Sequence, residues 1–207
     1  VMICVSILDL IPSSIEYLQS NYSHIAVIFF ALISLLFGVY LSYFMDKKVD
    51  KISNGSNLFK VGILSMIAII LHNIPEGIVT FIVTNKNIFL GISLCIAIAM
   101  HNIPEGISIA VPIYYSTKSK FKAILYTLIS AISEPLGAFL TYLFIEKFIN
   151  NTSLGLLFSF IAGIMIQISL NKLLPTSSSY NKKSTITFFI IGFIFMTISL
   201  LLNSLIS

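Results

Sequence analysis

A chain of 207 residues that is 57% hydrophobic and only 10% charged, with a mean hydropathy of +1.00, falls outside the soluble class, whose domains are about one quarter charged. The formal charge of +4 comes from lysines set between apolar runs, with no arginine and no aromatic-interleaved basic stripe, which argues against nucleic acid and for a membrane boundary. Cys4 and Cys95 stand in apolar surroundings and form no disulfide pattern.

In chain order, VMICVSILDLIPSSIEYL comes first. It lacks a basic leader and carries Asp9 and Pro12, so it is a poor signal peptide. Residues 1–19 are expected to be the second half of a transmembrane helix, and the chain a fragment lacking the helix before it. Apolar spans follow at about 24–45, 60–83, 88–112, 121–144, 153–174 and 186–206. Each is long enough to cross a hydrocarbon core of about 30 Å as a helix rising about 1.5 Å per residue. Polar connections are expected at 46–57 and 175–184, neither long enough for a soluble domain. The expected fold is therefore all-α, a polytopic transmembrane helix bundle forming a single domain over residues 1–207, multi-pass, surrounded by membrane lipid and placed in the cell membrane.

Alternate connections divide the lysines ten to two: Lys47, Lys48, Lys51, Lys60, Lys118, Lys120, Lys122, Lys172, Lys182 and Lys183 on one side, Lys86 and Lys147 on the other. By the positive-inside rule the ten face the cytoplasm and the C-terminus faces out.

HNIPEG occurs twice, at 72–77 and 101–106, each inside an apolar span. Positions four apart share a helix face, so His72 stacks with Glu76 and His101 with Glu105. Asn73 and Asn102 lie about 100° away and offer neutral oxygen at the edge of that face. Pro75 and Pro104 remove the donors that would serve the Leu71 and Met100 carbonyls, leaving acceptors beside each polar pair. Gly77 and Gly106 are expected to let another backbone approach. Glu134, in ISAISEPLGAF with Ser130 and Ser133, adds a third mid-span carboxylate.

An unpaired ionised carboxylate at that depth costs about 3 kcal/mol on insertion scales. Glu76, Glu105 and Glu134 are therefore expected to face one interior and share a cation or protons. Two imidazoles, three carboxylates and asparagine carbonyls make a mixed N/O set that suits zinc and other late first-row divalent ions better than calcium or magnesium. Against this stand plainer readings: helix–helix hydrogen bonding, or a duplication without chemistry. Asp9 reads equally as a pathway residue or an interfacial cap, His24 as an interfacial side chain, Gln167 and Asn171 as a structural hydrogen bond or pore lining. A membrane zinc protease would carry HExxH, whereas the spacing here is the reverse, HxxxE. A non-transporting metal sensor or structural membrane protein keeps the same ligands, and an organic-solute carrier can also use buried glutamates.

The segments LHNIPEGIVTF, AMHNIPEGISIAVPIYYSTKSKFKAI, SAISEPLGAF and AGIMIQISLNKLLP together resemble the ZIP metal-transporter family, especially its bacterial ZupT-like, broad-specificity branch. The resemblance covers nearly the whole chain. It implies import of divalent metal, zinc first and iron or manganese next, with no prosthetic group, no catalysis and no nucleic-acid partner, and it leaves room for a homodimer. It implies eight helices with both termini outside, this chain beginning within the second, and a two-metal centre. His72, Glu76, His101 and Glu105 would surround one ion, while Asn73, Asn102 and Glu134 would join the bridging Glu76 and Glu105 around the other. One departure stands out: Asn171-Lys172 replaces the acidic pair that relatives commonly place before Leu-Pro in the seventh helix.

Overall fold

The computed structural model describes the backbone of residues 2–52, 57–86, 88–145 and 150–206. It describes their side chains except at 49–52, 57, 83, 86, 90, 93, 94, 97, 100, 101, 144, 145, 199, 200 and 202–206. The described backbone is helical with no strand: α1 (Met2–Gln19), α2 (His24–Ile52), α3 (Asn57–Lys86), α4 (Ile88–Thr117), α5 (Lys120–Leu140), α6 (Asn151–Ile168) and α7 (Leu174–Ile206). Short π-helical segments lie within α1 at Ser6–Leu10 and extend α5 over Thr141–Ile145 and α6 over Ser169–Leu173.

Five helical stretches among the described residues are long and apolar enough to cross a membrane. Their outer faces carry Ile25, Ile28, Phe29, Phe121, Ile124 and Phe139 at 56% exposure or more. A soluble surface does not leave so many large apolar side chains in water, whereas lipid accepts them. The chain is thus a multi-pass integral membrane protein, all-α as the composition implies.

Helix ends follow local chemistry. Lys118 adopts φ 54° and its N–H donates to the Tyr114 carbonyl at 2.7 Å, closing α4 with a left-handed residue. Ser119 then caps α5 by accepting from the Lys122 N–H at 3.3 Å. Asn150 and Ser153 form a reciprocal capping box at the start of α6. Two expected connections differ from the structure. α2 continues to Ile52 through part of the charged stretch, where the Lys47 and Lys48 ammonium groups sit 4.6 and 4.8 Å from the Tyr43 and Phe44 rings one turn earlier, adding cation–π support. Positions 53–56 lie outside the described residues. The stretch 175–184 is helical apart from Asn181, at φ −160° and ψ 102°. Asn181 Oδ1 accepts from the Ser184 N–H at 3.0 Å, so the expected turn is compressed into one capping residue.

The chain divides into two compact units. One comprises residues 55–147 and 190–207; in it α3 packs against both α4 and α5, and α4 against α5. The other comprises residues 2–54 and 148–189, with α6 packed against α1 and α2. Its apolar core gathers Leu18, Val27 and Ala31 with Ile15, Phe30 and Leu156. Its interior also carries hydroxyl bonds, Ser14 to the Gly155 carbonyl at 2.6 Å and Ser34 to the Leu156 carbonyl at 2.6 Å. Such bonds join helices where lipid supplies no hydrophobic drive.

Candidate metal centre

The first HNIPEG copy lies midway along α3, which continues through Pro75. His72, Asn73 and Glu76 are 1%, 2% and 8% exposed, and His72 Nε2 lies 3.2 Å from Glu76 Oε1. The i,i+4 stacking expected from spacing is therefore present, and it faces protein rather than lipid.

The second copy lies in α4, which continues through Pro104. Glu105 is 1% exposed. The Asn102 Nδ2 group donates to Glu134 Oε2 on α5 at 2.9 Å. Asn73 makes the parallel choice: its Nδ2 group donates to the Ser130 carbonyl of α5 at 3.3 Å, which also receives the Ser133 hydroxyl at 2.5 Å. Each amide thus directs its N–H toward α5. Its carbonyl oxygen is buried and accepts no hydrogen bond among the described residues. For Asn102 the assignment is enforced, because turning the amide over would set Oδ1 against a carboxylate. The His101 backbone belongs to α4, while its side chain lies outside the described residues.

What brings α3 and α5 this close is glycine. A methyl group on Gly77 would strike the Glu134 carbonyl oxygen, and one on Gly137 would strike the Ile74 carbonyl oxygen. The two helices touch backbone to backbone beside Glu76 and Glu134. Gly77 plays the role expected from sequence. Gly106 does not: its nearest neighbour would be the Thr127 Cγ2 methyl at 3.2 Å, a side chain rather than a backbone. Gly137 carries the reciprocal contact, and sequence reasoning passed over it because a lone glycine after a Glu-Pro pair looks like local punctuation.

Among the described residues, no three His, Cys, Asp or Glu side chains stand together as a metal-holding group. The structure does bring four of the described candidates together in two pairs, His72 with Glu76 and Asn102 with Glu134. In the other unit, Gln167 Oε1 accepts from the Ser42 hydroxyl at 2.6 Å, a structural hydrogen bond between α6 and α2. Asn171 is exposed, and Lys172 Nζ pairs with Asp46 Oδ1 at 2.7 Å. Lysine next to Asn171 thus has an acidic partner on α2 that the sequence alone did not connect to it.

A helical membrane protein with imidazole, carboxylates and carboxamides buried or half-buried along three adjacent helices has the makings of a cation carrier. Comparison gives the family directly. Residues 50–200 match the family model described as ZIP zinc transporter, and the chain belongs to the ZIP family. It is 46% identical over 146 residues to the zinc transporter ZupT of Clostridium perfringens, a match covering 70% of this chain and 51% of that protein. It is 36% identical over 216 residues to the zinc transporter ZupT of Streptococcus mutans and 35% over 221 residues to that of Oceanobacillus iheyensis, each match covering 98% of this chain and 82% of the relative. No solved structure matches.

Proposed function

We propose that this chain imports divalent metal across a membrane, zinc foremost and iron or manganese next, through a centre built on α3, α4 and α5. His72, Glu76, His101 and Glu105 hold one ion; Asn73, Asn102 and Glu134, with Glu76 and Glu105, hold a second. The observation that carries this reading is the buried His72–Glu76 pair at 3.2 Å, in a helix cluster that also buries the Asn73 and Asn102 carbonyl oxygens, which accept no hydrogen bond among the described residues. A buried carbonyl oxygen without a donor or cation is costly. A divalent cation binds imidazole nitrogen and carboxylate oxygen directly, displacing any proton they hold as it does so.

Transport needs binding that is reversible on both sides. Neutral Asn carbonyls beside anionic Glu give a shell strong enough to strip water from the ion and weak enough to release it. The relatives' names, zinc transporter in each case, support zinc as the foremost ion. The lysine distribution sets the orientation of the chain, with the lysine-rich connections in the cytoplasm, and import then carries the ion toward that side. The test is zinc uptake by the full-length protein in cells lacking their own zinc importers, beside Glu76→Ala at equal membrane abundance. Uptake by the native protein and none by the variant is expected. Undiminished uptake by Glu76→Ala would remove this centre from the pathway.

A further inference from the structure

Serine and threonine inside a lipid-embedded helix ordinarily return their hydroxyl to the carbonyl one turn back. Ser6, Thr84, Thr117, Thr127, Thr141 and Thr197 do so here, each to the residue four before it, at 2.6 to 3.0 Å. Ser65 and Thr80 do not. Their hydroxyl oxygens are buried and have no hydrogen-bond partner among the described residues, and Ser65 as a whole is 0% exposed. Ser169 shares the property but lies in the π-helical segment of α6, where the widened turn displaces the carbonyl it would use. Ser65 and Thr80 have no such excuse, since both lie in the α-helical run of α3.

Their register explains more. At about 100° per residue, Ser65, His72, Glu76 and Thr80 fall within roughly 80° of arc on α3. At about 1.5 Å per residue they span roughly 22 Å along its axis, most of a hydrocarbon core of about 30 Å. Leaving a buried hydroxyl unsatisfied costs about 1–3 kcal/mol, and here two lie in line with a buried imidazole and carboxylate, one on each side of them.

We infer that Ser65 and Thr80 are hydroxyl stations for the passing hydrated divalent cation, one before and one after the His72–Glu76 pair. This rests on the transport reading above. A neutral hydroxyl can replace one water of the ion's shell, or hold that water as donor or acceptor, without adding the charge that would trap the ion. The stations therefore govern how fast an ion moves to and from the centre rather than how tightly the centre holds it.

The experiment compares the full-length native protein with Ser65→Ala and Thr80→Val in liposomes, together with Ser65→Cys and Thr80→Cys in a Cys4→Ser/Cys95→Ser background. The hydroxyl deletions should lower maximal zinc flux roughly three- to tenfold, the worth of about one net hydrogen bond, while equilibrium zinc binding to the purified protein stays unchanged. A thiol placed on the path should hold soft cadmium back relative to zinc, so the cadmium-to-zinc flux ratio should fall at least several-fold. That ratio is independent of how much variant folds. Native flux and an unchanged ratio in the variants, with flux still abolished by Glu76→Ala, would overturn the stations and leave the transport reading intact. Absence of flux in the native protein would overturn both.

Discussion

Asn102 is the side chain whose chemistry is most tightly specified. Its N–H donates to Glu134 Oε2 at 2.9 Å, which leaves its carbonyl oxygen for the ion in the proposed centre. Asn102→Asp exchanges that bond for two adjacent carboxylates. Losing a hydrogen bond to a charged group costs about 1.5–3 kcal/mol, so the metal-free variant should melt lower than the native protein. Zinc should restore more stability to it, by bringing the charge the pair then lacks. The same variant should show a lower half-saturation concentration for zinc and a lower maximal flux, with a smaller loss for manganese, because tighter holding slows release. Equal zinc-induced melting shifts in both proteins would place Asn102 outside the ion's shell. Lys118 offers a separate test. It holds φ 54°, a left-handed conformation costing a non-glycine residue roughly 1–2 kcal/mol. Lys118→Gly should relieve much of that strain and raise thermal stability without changing uptake, whereas Lys118→Val should lower stability.

Between helices, the close contacts sort into those that sequence discloses and those that it hides. The spacing of HNIPEG fixed the His72–Glu76 stacking in advance, because the helical period alone sets it. Partners on different helices were another matter: Asn73 with Ser130, Asn102 with Glu134 and Lys172 with Asp46 depend on packing that no local pattern encodes. Gly77 and Gly106 look alike in sequence, yet among the described residues only Gly77 of the two meets a backbone. Gly137→Ala should accordingly cost about 1–3 kcal/mol of stability through overpacking, while Gly106→Ala, facing only a movable methyl, should be nearly neutral in the same thermal assay. Equal effects would mean that α3 and α5 do not meet backbone to backbone at Gly137.

The second unit shows a helix correcting its own register. On α2, Ser42 and Asp46 are four apart; their partners Gln167 and Lys172 are five apart. A regular α-helix would turn Lys172 away from Gln167, but the π-helical segment Ser169–Leu173 widens the turn and brings both to one side. Breaking one member of the ion pair leaves the other charge partly buried, so Lys172→Gln alone should destabilise by about 1 kcal/mol or more, and the double variant Asp46→Asn/Lys172→Gln should recover part of it. Additive losses in the double-mutant cycle would deny the coupling.

For the whole molecule, composition was enough to read the membrane and the helices, since hydrocarbon admits few backbone solutions. It was not enough to place the turns. Charged and polar stretches at 46–52 and 175–180 look like loops by composition, but helix persists in them, because lysine, serine and tyrosine tolerate helical dihedrals and Asn181 alone supplies the cap. Residue types suited to metal were likewise legible, as was the pairing within one helix, while the pairing between helices was not.

Metal movement through the α3–α5 centre is tested most directly by purified full-length protein in liposomes loaded with a zinc-sensitive dye, beside Glu76→Ala reconstituted to the same density. The predicted result is a saturable rise in internal zinc with the native protein and a rate indistinguishable from empty liposomes with the variant. Zinc binding by the native protein without entry would make it a sensor rather than a carrier, and equal entry by both proteins would place the pathway elsewhere.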